Sequence, residues 1–267
     1  MFKKIITSIL WTLLLLLFAG YFVFAEILTD KVEKETRCHQ IEVTILDSAI
    51  NRFVSRQEVL TMISKSGIDP MEKLRSEIDI DMLEQHLTGR SAIKHCNISL
   101  DREGYMRVEV SQRRPLIRLE TANGGFYIDE QMYILPLVES FSSYVPIISG
   151  EIPLNIERNY RGFYHGENRQ WLEMLMEMIL YINRHPLWSA QIQQIEVERN
   201  LDLNLYNRVG DQKVIFGQMN RYEYKLAKLE AYYRNIVPVH GWEKYSEVNL
   251  KYSDQIVCTK RSRQNKK

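Results

Sequence analysis

The chain has 267 residues, enough for one large or two modest domains. Hydrophobic residues make up 45% and charged residues 26%, while Gly (12), Pro (7) and Cys (3) are sparse. That excludes a wholly disordered chain, a collagen and a disulfide scaffold. Thirty-five basic against 34 acidic side chains leave +1, which is no electrostatic footprint for nucleic acid.

Residues 1–4 read as a short cytoplasmic tail. Ile5 to Ala25 is a run of twenty-one residues without a charge, centred on Leu13-Leu14-Leu15-Leu16-Leu17-Phe18. As a helix it would span roughly 30 Å, the thickness of a bilayer's hydrocarbon core. Lys3 and Lys4 precede it, so the positive-inside rule sends the rest of the chain across the membrane. The competing reading is a cleaved signal peptide, since Val23-Phe24-Ala25 resembles a cleavage site. The apolar stretch exceeds the roughly 7–15 residues of a signal core, which favours an uncleaved, single-pass anchor over residues 5–25. Residues 26–40 read as a charged juxtamembrane linker.

From Ile41 the pattern becomes periodic. Ile41, Val43 and Ile45 alternate as a strand. Ser55-Arg56-Gln57-Glu58 has capping-box spacing and predicts a helix with Val59, Leu60 and Ile63 on one face, closed by Gly67. Asp81 is the expected cap of a second helix, carrying Leu83 and Leu87 and ended by Gly89. Cys96, Ile98 and Leu100 line one strand and Met106, Val108 and Val110 the next, with a turn over 101–104. The order β-α-α-β-β over residues 41–112 predicts a small α+β module.

Residues 113–260 predict a second, mostly antiparallel β domain with two main helices. Leu116–Glu120 is strand-like, Phe126–Asp129 and Tyr133–Leu137 form a hairpin around Glu130-Gln131, and Tyr144–Ile148 is a further short strand. Tyr160 to Asn168 reads as a polar loop. Trp171 to Asn183 is a helix whose inner stripe is Trp171, Leu175, Met178 and Ile182. Strands follow at 192–197, 201–205 and 213–216. Asn220 is the expected cap of a helix carrying Tyr222, Leu226, Leu229, Tyr233 and Ile236, stopped by Pro238. Tyr245–Tyr252 and Gln255–Lys260 then form a closing hairpin about Ser253-Asp254. Residues 261–267 form a basic tail.

Chemistry is sparse. There is no phosphate-cradling loop, no nucleophile elbow, no His-Glu-x-x-His and no Cys-x-x-Cys. The six histidines never share a metal-ligand spacing. His165 reads as a loop residue, and the carboxylate pair Asp79 and Asp81 is not read as acid–base machinery, since Asp81 is better explained as a helix cap. Cys96 reads as a core thiol, and a Cys38–Cys96 bridge stays open. No catalytic, cofactor or metal residue is assigned, and no small-molecule substrate is expected.

A transmembrane anchor followed at once by a β-α-α-β-β module resembles the POTRA (polypeptide-transport-associated) fold. The run from Met106 through Arg113-Arg114-Pro115 to Arg118 resembles the junction between POTRA and β domain in the FtsQ/DivIB cell-division family. Gly125-Phe126-Tyr127-Ile128-Asp129, Lys225-Leu226-Ala227-Lys228-Leu229 and Tyr245 to Tyr252 are similar to that family's first β-domain hairpin, last long helix and penultimate strand. Gln131-Met132 departs from the family, which often has Gly in that turn. The segment Gln255 to Lys260 resembles versions from the Bacteroides group. The resemblance implies a non-enzymatic, bitopic scaffold of the cell inner membrane, its bulk periplasmic, which binds FtsB-like and FtsL-like proteins and other division components at the septum. It further implies that an FtsB-like strand adds at the end of this domain and that Tyr252 is a contact. The alternation of the closing hairpin leaves one edge of its last strand unpaired, which adds Gln255, Ile256, Val257, Cys258, Thr259 and Lys260 as contacts, unless Lys260, Arg261 and the basic tail only blunt that edge against aggregation. The POTRA module would recruit through a surface near Arg56 and Gln57. The alternatives are a POTRA-bearing envelope transport or secretion component and a membrane-anchored periplasmic enzyme of unrecognised type.

Overall fold

The structure, a computed structural model, describes residues 11–26, 36–49, 52–90, 92–138 and 141–262. A helix, α1, covers residues 11–26, and its Leu13 to Phe18 stretch is exposed. Among the described residues no helix is long and apolar enough to cross a membrane. Residues 5–10 of the expected anchor, residues 1–4, most of the linker and the tail beyond 262 lie outside the described residues. The chain divides into two compact units, Met1–Gln112 and Arg113–Lys267.

The first unit is α+β. Strands β1 (Gln40–Ile45), β2 (Ile93–Leu100) and β3 (Tyr105–Gln112) form a sheet in the order β1-β3-β2. β1 runs parallel to β3, and β2 antiparallel to it. β3 is central, so its alternating Met106, Val108 and Val110 are fully buried. Helices α2 (Arg56–Lys65) and α3 (Ile80–Thr88) contribute Val59, Ile63, Leu83 and Leu87 to the same core. On α2 Met62 is buried, while the expected Leu60 is only half-buried.

The capping box at α2 forms as the spacing predicts: Ser55 Oγ accepts from the Glu58 amide at 3.2 Å, and Glu58 Oε2 accepts from the Ser55 amide at 2.7 Å. The α3 cap differs from expectation. Asp79, two residues earlier than Asp81, accepts from the Met82 amide at 2.9 Å, and Asp81 lies in the first turn. Both carboxylates favour a helix start, but only one sits three residues ahead of a free amide.

The second unit is built on a ten-stranded sheet. Its strands are β4 (Pro115–Thr121), β5 (Gly124–Asp129), β6 (Tyr133–Pro136), β7 (Ile147–Gly150), β8 (Gly162–Phe163), β9 (Ile192–Val197), β10 (Leu203–Asn207), β11 (Lys213–Gly217), β12 (Tyr245–Asn249) and β13 (Val257–Lys260). The spatial order is β13-β12-β11-β10-β9-β7-β4-β5-β6-β8. Neighbours β4/β7, β7/β9 and β11/β12 are parallel and the other six pairings antiparallel. The sheet is therefore mixed within a mostly antiparallel plan. Helix α6 (Tyr222–Asn235) is the crossover that lets β11 and β12 run parallel. Helix α4 (Arg169–Arg184) lies between β7 and β9 in the chain and buries Trp171, Leu175, Met178 and Ile182 in the core.

Several local expectations move. Pro146 has no amide to donate, and the strand near it starts at Ile147 and runs to Gly150. Leu201 takes a left-handed turn conformation (φ 65°), so β10 starts at Leu203. A short helix, α5 (Pro186–Gln191), fills the step between α4 and β9 with Pro186 in its first turn. Pro238 lies in the first turn of another short helix, α7 (Val237–His240). Asn220 does not cap α6: Arg221 occupies that position at φ 51°, and Asn220 Oδ1 instead accepts from Lys225 Nζ at 3.1 Å.

Candidate functional site

β13 is the terminal strand of the ten-stranded sheet, and among the described residues it pairs with β12 alone. Of the residues singled out in the sequence, Val257, Cys258, Thr259 and Lys260 make up this strand. Tyr252, Gln255 and Ile256 do not. The expected long hairpin is shorter, and a connection over 250–256 separates β12 from β13. Tyr252 is half exposed within it, whereas Ile256 and Cys258 pack against the core.

Two bonds set the direction of the β13 backbone groups. The carbonyl of Thr259 accepts from Ser246 Oγ at 3.3 Å, and the amide of Arg261 donates to the carbonyl of Lys244 at 3.0 Å. Both point towards β12. A residue's amide and carbonyl share a side, and sides alternate along a strand. Val257 and Thr259 therefore face β12, and the backbone groups of Cys258 and Lys260 face outward. Val257 and Thr259 present their side chains on the sheet face away from the core, with Thr259 Oγ1 donating to Glu247 at 3.0 Å.

The connection is held from α6. Lys228 Nζ donates to the carbonyls of Leu250 (2.9 Å), Tyr252 and Gln255 (3.4 Å). Tyr224 Oη donates to the carbonyl of Ser253 at 2.6 Å. Lys251 pairs with the buried Asp202 at 2.6 Å. A cleft of about 500 Å³ lies between this connection and the start of α6. Burial, and then the Arg221 charge, depress the pKa of Lys228. Lys225 is depressed too, first by burial, with Lys228 and Arg221 acting the same way against Asp202.

Sequence reasoning passed over Lys228, Lys225 and Arg221. Lys225 and Lys228, three apart on α6, were a readable sign of a shared face, whereas Arg221 lies in the left-handed cap position ahead of the helix, where helical spacing gives no sign of it.

In the first unit Arg56 and Gln57 are both exposed at the start of α2. Arg56 has a structural task as well: its Nε donates to the carbonyl of Val43 on β1 at 2.9 Å. Gln57 has its side chain in solvent.

The cysteines are free thiols. Burial raises the pKa of Cys38 and Cys258, and burial followed by the Glu84 charge pushes Cys96 up to about 12. All three are held as thiols rather than nucleophilic thiolates. His165 lies 3.4 Å from Arg169 in an exposed loop.

A family model described as FtsQ/DivIB, C-terminal related, matches residues 114–259, more than half of the chain. A second, described as a POTRA-like domain, matches residues 36–111. None of the curated proteins matches this chain.

Proposed function

The chain belongs to the FtsQ/DivIB family, and from that premise we propose that it is a bitopic, non-enzymatic scaffold of the division machinery. Its docking edge is β13, which receives a strand from an FtsB-like protein, with an FtsL-like protein in the same assembly. The observation that carries this reading is the place of β13 at the end of a ten-stranded sheet, with the backbone of Cys258 and Lys260 turned outward. An open edge offers donors and acceptors to an incoming strand. The contact set is Tyr252, Gln255, Ile256, Val257, Cys258, Thr259 and Lys260, with the three connection residues flanking the strand itself.

In this reading residues 5–25 anchor the chain in the inner membrane, with residues 1–4 cytoplasmic and the two units in the periplasm. The exposed apolar surface of α1, Leu13 to Phe18, supports the anchor, because water would not tolerate so continuous an apolar helix surface. The POTRA-like unit contributes recruitment through the exposed start of α2 at Arg56 and Gln57.

A fluorescent fusion of the full chain, imaged in its native cells, tests the reading. The expected result is a band at the division site. A uniform envelope signal would contradict it and favour an envelope transport role.

A further inference from the structure

The cleft beside β13 carries more positive charge than strand docking requires. Arg221, Lys225, Lys228 and Lys251 line it, against Asp202 as the one lining carboxylate. Lys251 is neutralised by Asp202 at 2.6 Å. Among the described residues the other three form no ion pair, although the nearby Asp254 acts favourably on Lys228.

The three cations differ in what they have left to give. Lys228 Nζ is directed at three backbone carbonyls. Lys225, only 8% exposed, donates to the Gln218 carbonyl at 2.6 Å and to Asn220 Oδ1 at 3.1 Å. Their donors are largely used while their charges stay fixed. Arg221 is exposed, and its guanidinium lies 4.7 Å above the Tyr224 ring. It is held at φ 51°, a left-handed conformation that a long side chain rarely adopts. Such strain at a cleft is where a functional constraint is to be sought. A planar, always-charged fork suits a carboxylate, which it can hold by two parallel bonds.

We infer that this cleft is a carboxylate receptor, with Arg221 as the contacting group and Lys225 and Lys228 as its fixed field, and that its ligand is an acidic segment of the chain that docks on β13. The choice of a protein ligand rests on the reading of β13 as the docking edge. The cleft wall formed by Leu250, Lys251, Tyr252 and Ser253 is the connection that leads into β13. A chain leaving the Val257 end of that strand meets the connection next. Tyr224 and Tyr252 are exposed there, giving aromatic surface for peptide side chains.

The test is calorimetry on the full chain in detergent micelles, with hexaglutamate as probe and hexaglutamine as control. Hexaglutamate should bind and hexaglutamine should not, and added salt should weaken binding. Arg221→Gly should weaken it about tenfold or more, the size of one lost charge-assisted contact. This variant should melt no lower than the parent, because glycine accepts φ 51° without strain. Lys225→Met should also weaken binding, through the lost charge and through release of its bonds to Gln218 and Asn220 beside Arg221. The basic tail is intact in both variants, so binding to the tail would show as unchanged affinity and would overturn the inference. Equal affinity for hexaglutamine would overturn it too. So would Arg221-dependent capture by phosphatidylglycerol vesicles in the absence of hexaglutamate binding, which would assign the cleft to a headgroup. Cys258→Pro, which blocks the edge, should leave hexaglutamate binding intact. Failure of the edge reading and failure of the cleft therefore appear in different variants.

Discussion

Lys228 on α6 donates to the carbonyl of Leu250 at 2.9 Å, and the same ammonium reaches the carbonyls of Tyr252 and Gln255. One side chain thus ties both ends of the connection between β12 and β13 to the helix that packs on the sheet. This explains why the hairpin is short. Carbonyls directed at an ammonium are not available to a ladder, and pairing resumes only at Val257.

Replacing Lys228 by Met keeps the apolar stem and removes those three bonds. The expected cost is about 1–2 kcal/mol, the low end for bonds to a charged group because the site is partly solvated. Hydrogen exchange on the intact chain should show faster exchange across residues 250–256 with the strands β9 to β11 unchanged. Parent-like exchange in the connection would show that Lys228 does not hold it.

At the other unit, Ser55→Ala removes one half of the capping box and should cost about 0.5–2 kcal/mol. Arg56 is a poor probe of recruitment, since its change also releases the bond to Val43 on β1. Gln57→Arg is the cleaner variant. It should change stability by less than about 0.5 kcal/mol, as exposed substitutions do, while lowering the midcell signal of a fluorescent fusion. A parent-like signal would remove Gln57 from the recruitment surface.

The aromatic side of the second unit sets its alkaline limit. Burial pushes Tyr232 up to about 12, with Cys258 and Tyr245 adding to it. Tyr206 is likewise raised to about 12, by burial and then by its 2.7 Å bond to Glu196. Burial also raises Tyr233. A folded pKa above the unfolded value near 10 gives stability that is complete below pH 10 and is lost as pH rises towards 12. Burial depresses Lys225 and Lys228, so they act in the opposite sense, adding stability as pH rises towards their unfolded value near 10.5, and that gain is complete before the tyrosines ionise. Absorbance at 295 nm should therefore show these tyrosines ionising together with loss of near-ultraviolet circular dichroism between pH 10 and 12. Smooth ionisation of all tyrosines near pH 10 in a folded chain would contradict the burial.

Much of this architecture is legible from local pattern. Ser55 and Glu58 sit three residues apart, Met106, Val108 and Val110 alternate, and Trp171 to Ile182 repeats at helical spacing. Each of those signals concerns residues that meet their own neighbours in sequence. The misplaced caps fail for a different reason. Asp79 and Asp81 are equally suited to a helix start, and Asn220 is drawn away by Lys225. The parallel pairing of β11 and β12 and the terminal place of β13 are decided by contacts far apart in the chain. The orientation of the β13 backbone is finer still. It depends on bonds from Ser246 and Arg261 that no side-chain alternation reports. The amide of Val257 faces β12, so proline there would damage the sheet itself rather than the edge.

The outward amides belong to Cys258 and Lys260, so proline at either position removes a donor that faces solvent rather than one within the sheet. With so few outward groups the backbone supplies at most about four bonds, each worth roughly 0.5–1.5 kcal/mol net. Tyr252 and Val257, both exposed, are left to add side-chain contact. Calorimetry of the full chain in detergent, titrated with a peptide covering the periplasmic segment of the FtsB-like protein from the same cells, tests docking most directly. Cys258→Pro and Lys260→Pro should each keep a melting temperature close to the parent's and weaken binding by tenfold or more, about 1.4 kcal/mol. Parent-like affinity in both folded variants would contradict strand addition at β13 and place the partner elsewhere on the second unit.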